Sequence, residues 1–317
     1  MLTVYPDYYR SFRCVAGSCR HNCCIGWEID IDPEKLAFYH SVPGELGRRL
    51  REHISLEGEP HFILGEGERC PFLNDRNLCD IITQLGEEHI CQICTDHPRF
   101  YHTVPQRLEM GLGLCCEEAV RLILGKKEPS VLLEEGFEEE KDPVLVLRDE
   151  ALVILGQREL SLEQRLERVL ALCDAEGPHG DMGRWAAFLL GLERLEAGWT
   201  ELLEKLEKRW RQAPVEAFLA FLGPRTTEYE HLAAYLFYRH LPDAWDDADL
   251  AARAAFGAFG CGLLVYLGAL AWQERGEFSF SDQVELARMF SSEIEYSEEN
   301  LERVLEELLP AWACQEL

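Results

Sequence analysis

The chain has 317 residues, 58 of them acidic and 31 basic, for a formal net charge of −27 at pH 7. Nucleic-acid binding depends on Lys and Arg neutralising phosphates, so a field of this sign excludes it as a main function and favours basic partners instead. Thirteen cysteines fit a closed set of disulfides poorly, and the opening MLTVYPDYYRSFR lacks the basic and apolar regions of a secretory signal. A reducing, cytoplasmic setting is therefore expected, in which gathered thiols bind metal or do redox chemistry.

The first half reads as short, mixed elements. Ile25, Trp27, Ile29 and Ile31 alternate with Gly and acids, a strand pattern. Asp32-Pro33-Glu34 starts a helix, with Asp32 as N-cap and Pro33 at the first helical position. HFIL and the flanks of CPFLNDRNLC suggest short strands around a turn. DIITQLGEEHICQIC is helical, RFYHTVPQRLEMGLGL is a hairpin about Pro105, and CEEAVRLIL opens another helix.

An acidic stretch marked by Pro and Gly, at about 125–143, reads as a linker. Beyond it helices dominate. Ser161 and Gln164 have capping-box spacing ahead of QRLERVLALC. GRWAAFLLGLERLEAGWTELLEKLEKRW, HLAAYLFYRHL, DQVELARMFSSEI and EENLERVLEELL are amphipathic helical patterns. Ala254–Trp272 is a 19-residue run without charge, near the lower limit for a membrane span. Its many Ala and Gly residues favour a buried helix on which neighbours pack closely. No transmembrane span is therefore expected, and peripheral membrane association stays open.

The fold expected is mainly α: a cysteine-rich, metal-binding region with short strands over 1–127, then an α-helical bundle over 128–317. Charge follows the same division. Residues 1–127 carry 19 acids and 14 bases, net −5; residues 128–317 carry 39 and 17, net −22.

Ten cysteines lie between positions 14 and 116, spaced Cys14-x4-Cys19-x3-Cys23-Cys24, Cys70-x8-Cys79, Cys91-x2-Cys94 and Cys115-Cys116. Cys173, Cys261 and Cys314 are scattered through helical patterns and read as small apolar residues. Thiolates are soft ligands, and four of them complete a tetrahedral Zn site or a [4Fe–4S] cluster. Ten leave room for one site with spares, or for two. The spacing matches no ferredoxin run, no radical-SAM triplet and no tandem zinc ribbon, so Zn and Fe–S both stay open. His21 and His97 are candidate further ligands. GLGL at 111–114 is too short for a methyl-donor turn, and Gly257, Gly260 and Gly262 lie in a helical run.

Taken together these segments resemble the flagellin lysine-N-methylase (FliB) family. The residues carrying the resemblance are Tyr9, Phe12 and Cys14; Cys19, Cys23, Cys24, Gly26, Trp27, Ile29, Ile31 and Asp32; Cys70-Pro71-Phe72-Leu73 through Cys79; Cys94, Pro98 and Arg99; and Cys116, Glu118 and Ala119. SSEIEYSEENL resembles a late family block, with Ser292 where the family has Arg and Tyr296 where it has His. The cysteine half also looks like the YkgJ-type Zn- or Fe-chelating domains.

The resemblance implies a protein-lysine N-methyltransferase that uses S-adenosylmethionine, depends on a cysteine-bound [4Fe–4S] cluster, and acts on a lysine-bearing protein such as flagellin. Carried over position by position, its metal ligands are Cys14, Cys19, Cys23, Cys24, Cys70, Cys79, Cys94 and Cys116. Cys91 and Cys115 match no family cysteine. The reference pKa of a lysine amine is about 10.4, so methylation requires removing a proton first. Glu293 and Tyr296, three apart and thus on one helix face, are candidates for that step. Two other readings use the same thiols: an interaction protein stapled by zinc, without catalysis, or a redox or iron-handling protein.

Overall fold

A computed structural model describes residues 1–313, so the reading of Cys314 lies outside the described residues. In chain order the elements are β1 (Leu2–Pro6), α1 (Pro33–Ser41), α2 (Gly44–Glu52), β2 (Ile54–Ser55), β3 (His61–Phe62), α3 (Asp80–Leu85), α4 (Gln92–Asp96), β4 (Arg99–Val104), β5 (Arg107–Leu112), α5 (Glu117–Leu124) and β6 (Leu132–Glu135). Helices follow: α6 (Pro143–Leu155), α7 (Leu162–Leu172), α8 (Met182–Leu190), α9 (Ala197–Arg209), α10 (Val215–Leu222), α11 (Thr227–His240), α12 (Asp247–Arg275), α13 (Phe280–Phe290) and α14 (Glu298–Glu307). The protein is mainly α with short strands in its first half.

The chain forms two compact units. The smaller is Arg13–Phe100; the larger joins Met1–Phe12 to the chain from Tyr101 onward. The break expected at 127/128 is thus replaced by breaks at 12/13 and 100/101. The reason is the sheet, whose order is β4-β5-β1-β6. β1 lies parallel to β5, with Val4 opposite Glu109, and antiparallel to β6, with Thr3 opposite Glu135. The first strand is therefore hydrogen-bonded into the unit that also carries the helices. The stretch read as a linker contributes β6, and Glu138 within it accepts a hydrogen bond from Arg107 at 2.7 Å.

In the small unit the N-terminus of α1 forms as its sequence indicates: Pro33 occupies the first turn and the Asp32 carboxylate accepts the Lys35 N–H at 3.0 Å. The alternating stretch from Ile25 to Ile31 is not a strand. It makes only isolated bridges, Ile25 with Arg69 and Asp30 with His61. The helix read over DIITQLGEEHICQIC is broken at Gly86, whose φ of +110° is inaccessible to an ordinary side chain, leaving α3 and α4. The core of this unit gathers Ile29, Ile31, Tyr39, Leu50, Phe62, Phe72 and Ile81, and it includes Cys70 and Cys91.

In the large unit the hairpin about Pro105 and the capping box at Ser161 form as read. The pattern read as one long helix from Gly183 is two, α8 and α9, with irregular chain at 191–196. α12 is long and apolar enough to cross a membrane, but 83% of its apolar window is buried. It is the central helix, touching α7, α9, α10, α11, α13 and α14. Gly257 shows why small residues recur along it: a Cβ there would sit 2.8 Å from the Phe237 ring. Cys173 and Cys261 are buried as small apolar residues.

One ion network holds β5 to α6. Arg148 donates to both oxygens of Glu109 at 2.6 and 2.7 Å and to Asp149 at 2.7 Å, while Arg107 donates to Glu109 at 2.7 Å. Arg107, Glu109 and Arg148 are all fully buried. Burial pushes the Glu109 pKa up, but Arg148 and Arg107 outweigh it and hold the carboxyl below its usual value. Removing one partner of such a network strands buried charge. Glu109→Ala is expected to cost about 3–5 kcal/mol in urea unfolding. A folded pKa below the unfolded one means this stabilisation is present above the ordinary carboxylate range and is lost as pH falls through it toward the folded value. The wild type should therefore lose stability on acidification more steeply than Glu109→Ala.

Candidate metal centre and buried polar network

Four irregular segments of the small unit carry thiols into and against its apolar core. Cys24 is placed by pairing of its strand-like segment, since its carbonyl accepts the Cys70 N–H at 2.8 Å and the Gly26 N–H bonds to the Glu68 carbonyl at 3.0 Å. Cys70 and Cys79 flank a turn closed by the Leu73–Cys79 bridge. Arg49 latches that turn, donating to the Pro71 carbonyl at 2.9 Å and to Asp80 at 2.8 Å. Cys79 and Cys91 are the N-cap residues of α3 and α4, and Cys94 follows within α4. Asp32 ties this last segment down. One of its oxygens caps α1 and the other accepts the Gln92 N–H at 2.9 Å.

The thiols are electrostatic neighbours. Cys23 hydrogen-bonds Cys24, and Cys91 hydrogen-bonds Cys94. Cys24 feels the charges of Cys70 and Cys79, Cys94 those of Cys24 and Cys70, and Cys70 those of Cys79 and Cys91. In each bonded pair one thiol gains what the other loses. The bond from Cys24, helped by His97, lowers the Cys23 pKa; the bond from Cys94 lowers that of Cys91; Cys24 and Cys94 are raised. Burial pushes Cys70 up to about 11 and also raises Cys79. Against that burial, the backbone N–H groups of Phe72 and Leu73 point at the Cys70 sulfur, and those of Ile81 and Ile82 at Cys79.

Thiols are soft donors, of the type that soft metals select. Thiols that suppress one another's ionisation by like charge become good ligands once a cation enters, because coordination deprotonates a thiol outright. N–H groups aimed at sulfur stabilise the thiolate form, as outer partners of metal ligands do.

The eight cysteines implied by the resemblance are not all brought together. Cys23, Cys24, Cys70, Cys79 and Cys94 are electrostatic neighbours. Cys14 is exposed, its sulfur accepting the Ala16 N–H at 3.4 Å, and Cys19 donates to the His21 carbonyl at 3.0 Å. Cys116 belongs to the other unit, as N-cap residue of α5. Cys91, unmatched in the resemblance, is buried inside the group. The signal for it was its x2 spacing to Cys94. His97 hydrogen-bonds Cys23 and its ring packs 6.4 Å from Trp27.

In the large unit the region of Glu293 and Tyr296 is a π-helical turn, Ser291–Glu295, closed by the Tyr296 N–H on the Ser291 carbonyl at 3.0 Å. Such turns are rare and frequent at functional sites. The wider turn sets the two candidates in different surroundings instead of on one helix face. Glu293 is fully buried and accepts the N–H groups of Leu195 and Glu196 at 2.9 and 2.7 Å, fixing the approach to α9. The Tyr296 ring lies beneath the Arg239 guanidinium, 4.6 Å from its centroid, and its phenol hydrogen-bonds Cys115. Burial pushes the Tyr296 pKa up, so the phenol stays protonated. Glu295, between them in sequence, accepts from Tyr235 at 3.0 Å and pairs with His240 Nε2 at 2.7 Å; Arg239 donates to Tyr235 at 2.7 Å. Burial raises the Glu295 pKa, but Arg239 and His240 more than reverse this, and burial lowers His240.

This turn lies in the segment that matches known proteins. Residues 180–310 match the FliB lysine N-methylase C-terminal domain. That region of the chain is similar to the C-terminal domain of the FliB lysine N-methylases. The small cysteine-rich unit lies outside the match. The lysine-N-methylases of Salmonella typhimurium and Salmonella choleraesuis are each 28% identical to the chain over 136 residues, 41% of this chain and 34% of theirs. The flagellar biosynthetic protein FliU of Salmonella muenchen is 26% identical over 134 residues, 40% of this chain and 79% of that protein. The similarity thus spans about a third of the length of the two lysine-N-methylases. No solved structure matches the chain.

Gly113 is the residue on which the FliB-like turn depends most directly. A Cβ there would stand 1.9 Å from the Tyr296 oxygen. Gly113→Ala is expected to destabilise the protein by about 1–3 kcal/mol in chemical unfolding, as overpacked sites do. In a Tyr296→Ala background the same change should cost almost nothing.

Proposed function

We propose that the protein is a protein-lysine N-methyltransferase that takes its methyl group from S-adenosylmethionine and requires a cysteine-bound [4Fe–4S] cluster. The observation that carries this reading is the match of residues 180–310 to the FliB lysine N-methylase C-terminal domain. The lysine-N-methylase name of two relatives and the flagellar name of a third support a lysine-bearing protein substrate of the flagellin kind. The acidic composition supports attraction of a basic partner, an effect that salt would weaken.

Within this reading the cluster is held by thiols drawn from Cys23, Cys24, Cys70, Cys79, Cys91 and Cys94. When bound, the sulfonium donor supplies an electrophilic methyl. The part left to the chain is to orient the lysine and hold its amine neutral. Glu293, whose carboxylate accepts two backbone N–H groups and whose pKa burial raises, and Tyr296, whose phenol hydrogen-bonds Cys115, are the chain's candidates for the proton transfer this requires. A second reading, a zinc staple in a non-catalytic protein, is favoured by the placing of these thiols in the core of a small unit with few strands.

Anaerobic purification with iron, zinc and sulfide analysis separates the two. The methylase reading expects about four irons and four sulfides per chain, and S-adenosylmethionine-dependent gain of methyl mass on flagellin lysines. One zinc without sulfide, and no mass gain, would replace it with the staple. Cys91→Ser is expected to lower metal content at least as severely as Cys94→Ser, whereas Cys14→Ser leaves it unchanged.

A further inference from the structure

The metal-thiolate reading leaves one buried polar group in the small unit unexplained. Tyr39 lies in α1 and is fully buried. Its ring packs against Phe62, with centroids 5.8 Å apart. A core position asks for a ring there, not for a hydroxyl, and a Phe would fill the same space. The hydroxyl has two neighbours. It donates to the His89 carbonyl at 2.8 Å, and it stands 3.4 Å from the Cys91 sulfur.

A phenol has one proton, so the two contacts cannot both be full donations. While Cys91 is a thiol, its S–H can donate to the Tyr39 oxygen and the phenol proton can serve His89. A metal-bound thiolate sulfur is an acceptor only. Hydrogen bonds to an ionised acceptor are roughly twice as strong as those between neutral groups, which draws the phenol proton from the neutral carbonyl toward the sulfur. The same hydroxyl thus has a partner in both states of Cys91, and it prefers the charged one. Nothing else needs to move: α1 is fixed by Asp32, which also fixes the first residue of α4 beside Cys91.

We propose that Tyr39 is a positioning residue of the metal centre, whose hydroxyl donates to the Cys91 sulfur and selects that thiolate as a ligand; the proposal rests on the metal-thiolate reading of the small unit. Tyr39 is not a ligand itself. Its effect is on affinity and on the electron density at sulfur, as for other partners that bond to metal ligands rather than to the metal.

The test uses the full-length, metal-stripped protein and Co(II) as the probe, since thiolate-to-cobalt charge-transfer bands report both coordination and sulfur electronics. Wild type, Tyr39→Phe, Cys91→Ser and the double variant are titrated with Co(II) against a chelator. The expected result is that Tyr39→Phe weakens Co(II) about tenfold or more and moves the charge-transfer band to lower energy, because a sulfur that loses a donated hydrogen bond holds its electrons less tightly. In the Cys91→Ser background, Tyr39→Phe should change neither. Phe62→Leu disturbs the packing of the ring but not the hydroxyl, so it should leave the band in place. If wild type binds Co(II) with a thiolate spectrum and Tyr39→Phe matches it in affinity and band position, the role of Tyr39 is overturned while the metal reading stands. That role is overturned equally if Tyr39→Phe acts to the same extent with and without Cys91. If wild type gives no thiolate spectrum at all, the metal centre fails, and this proposal with it.

Discussion

Thiols packed at each other's side against an apolar core cannot all ionise, and cannot all be hydrated. The small unit is built round that constraint. Between bonded thiols the pull is unequal: the bonds from Cys24 and Cys94 lower Cys23 and Cys91, while Cys24 and Cys94 are raised. With a cation the conflict becomes an attraction. Hydrogen bonds hold the thiol-bearing segments in place. Arg49 ties the Cys70–Cys79 turn to Asp80, and Asp32 joins the start of α1 to the segment of Cys91. Backbone N–H groups face two of the sulfurs. An interior that includes Cys70 and Cys91 among its few buried apolar groups has little hydrophobic reserve. On the proposed metal reading, metal removal is expected to cost this unit order, since in such sites binding free energy is folding free energy.

The large unit solves a different electrostatic problem. It carries most of the negative charge of the sequence, yet it buries several acids. It does so by giving each a designated donor. Glu109 receives two arginines, Glu230 receives Arg158 and Arg165, Glu293 receives two backbone N–H groups, and Glu295 receives Tyr235 and His240. These bonds join segments far apart in sequence, so they act as long-range fasteners. The pair on Glu293 and the pair on Glu295 also tie the π-helical turn to neighbouring elements.

Local signals were legible where the physics is local. Asp32 with Pro33, the box at Ser161, the hairpin about Pro105 and the buried character of Ala254–Trp272 all follow from capping, turn chemistry or composition. Pairings between distant segments were not. The alternation from Ile25 to Ile31 looks like a strand because Ile29 and Ile31 do face a core, but no neighbouring strand runs alongside. The domain break was misplaced because a charge shift marks composition, whereas the unit boundary is set by β1 joining β5 and β6 across the whole small unit. Of the site, the thiol-bearing segments could be read but not their selection. Cys14 and Cys19 lie as close in sequence to Cys23 as any ligand would, while Cys91, buried in the group, is distinguished only by its spacing to Cys94.

Four positions depart from the resemblance to FliB proteins, Ser292, Tyr296, Cys91 and Cys115, and two of them meet in the fold. Tyr296 replaces a histidine of the family block, and Cys115 had no counterpart. The fold makes them neighbours: the Tyr296 phenol hydrogen-bonds the Cys115 thiol, and burial pushes that thiol up to about 12, so both groups remain neutral. Gly113, two residues before Cys115, supplies the space that the phenol oxygen occupies. A phenol is longer than an imidazole and carries a single donor, so its partner has to be a small acceptor deep in the wall and its path has to be free of a Cβ. Cys115 and Gly113 meet those two demands from one strand end. These two departures therefore share one packing site, where the π-helical turn meets the chain beyond β5. The closing bond of the turn is made by the Tyr296 backbone and the Arg239 guanidinium lies over the face of the ring, so neither depends on the ring's tip.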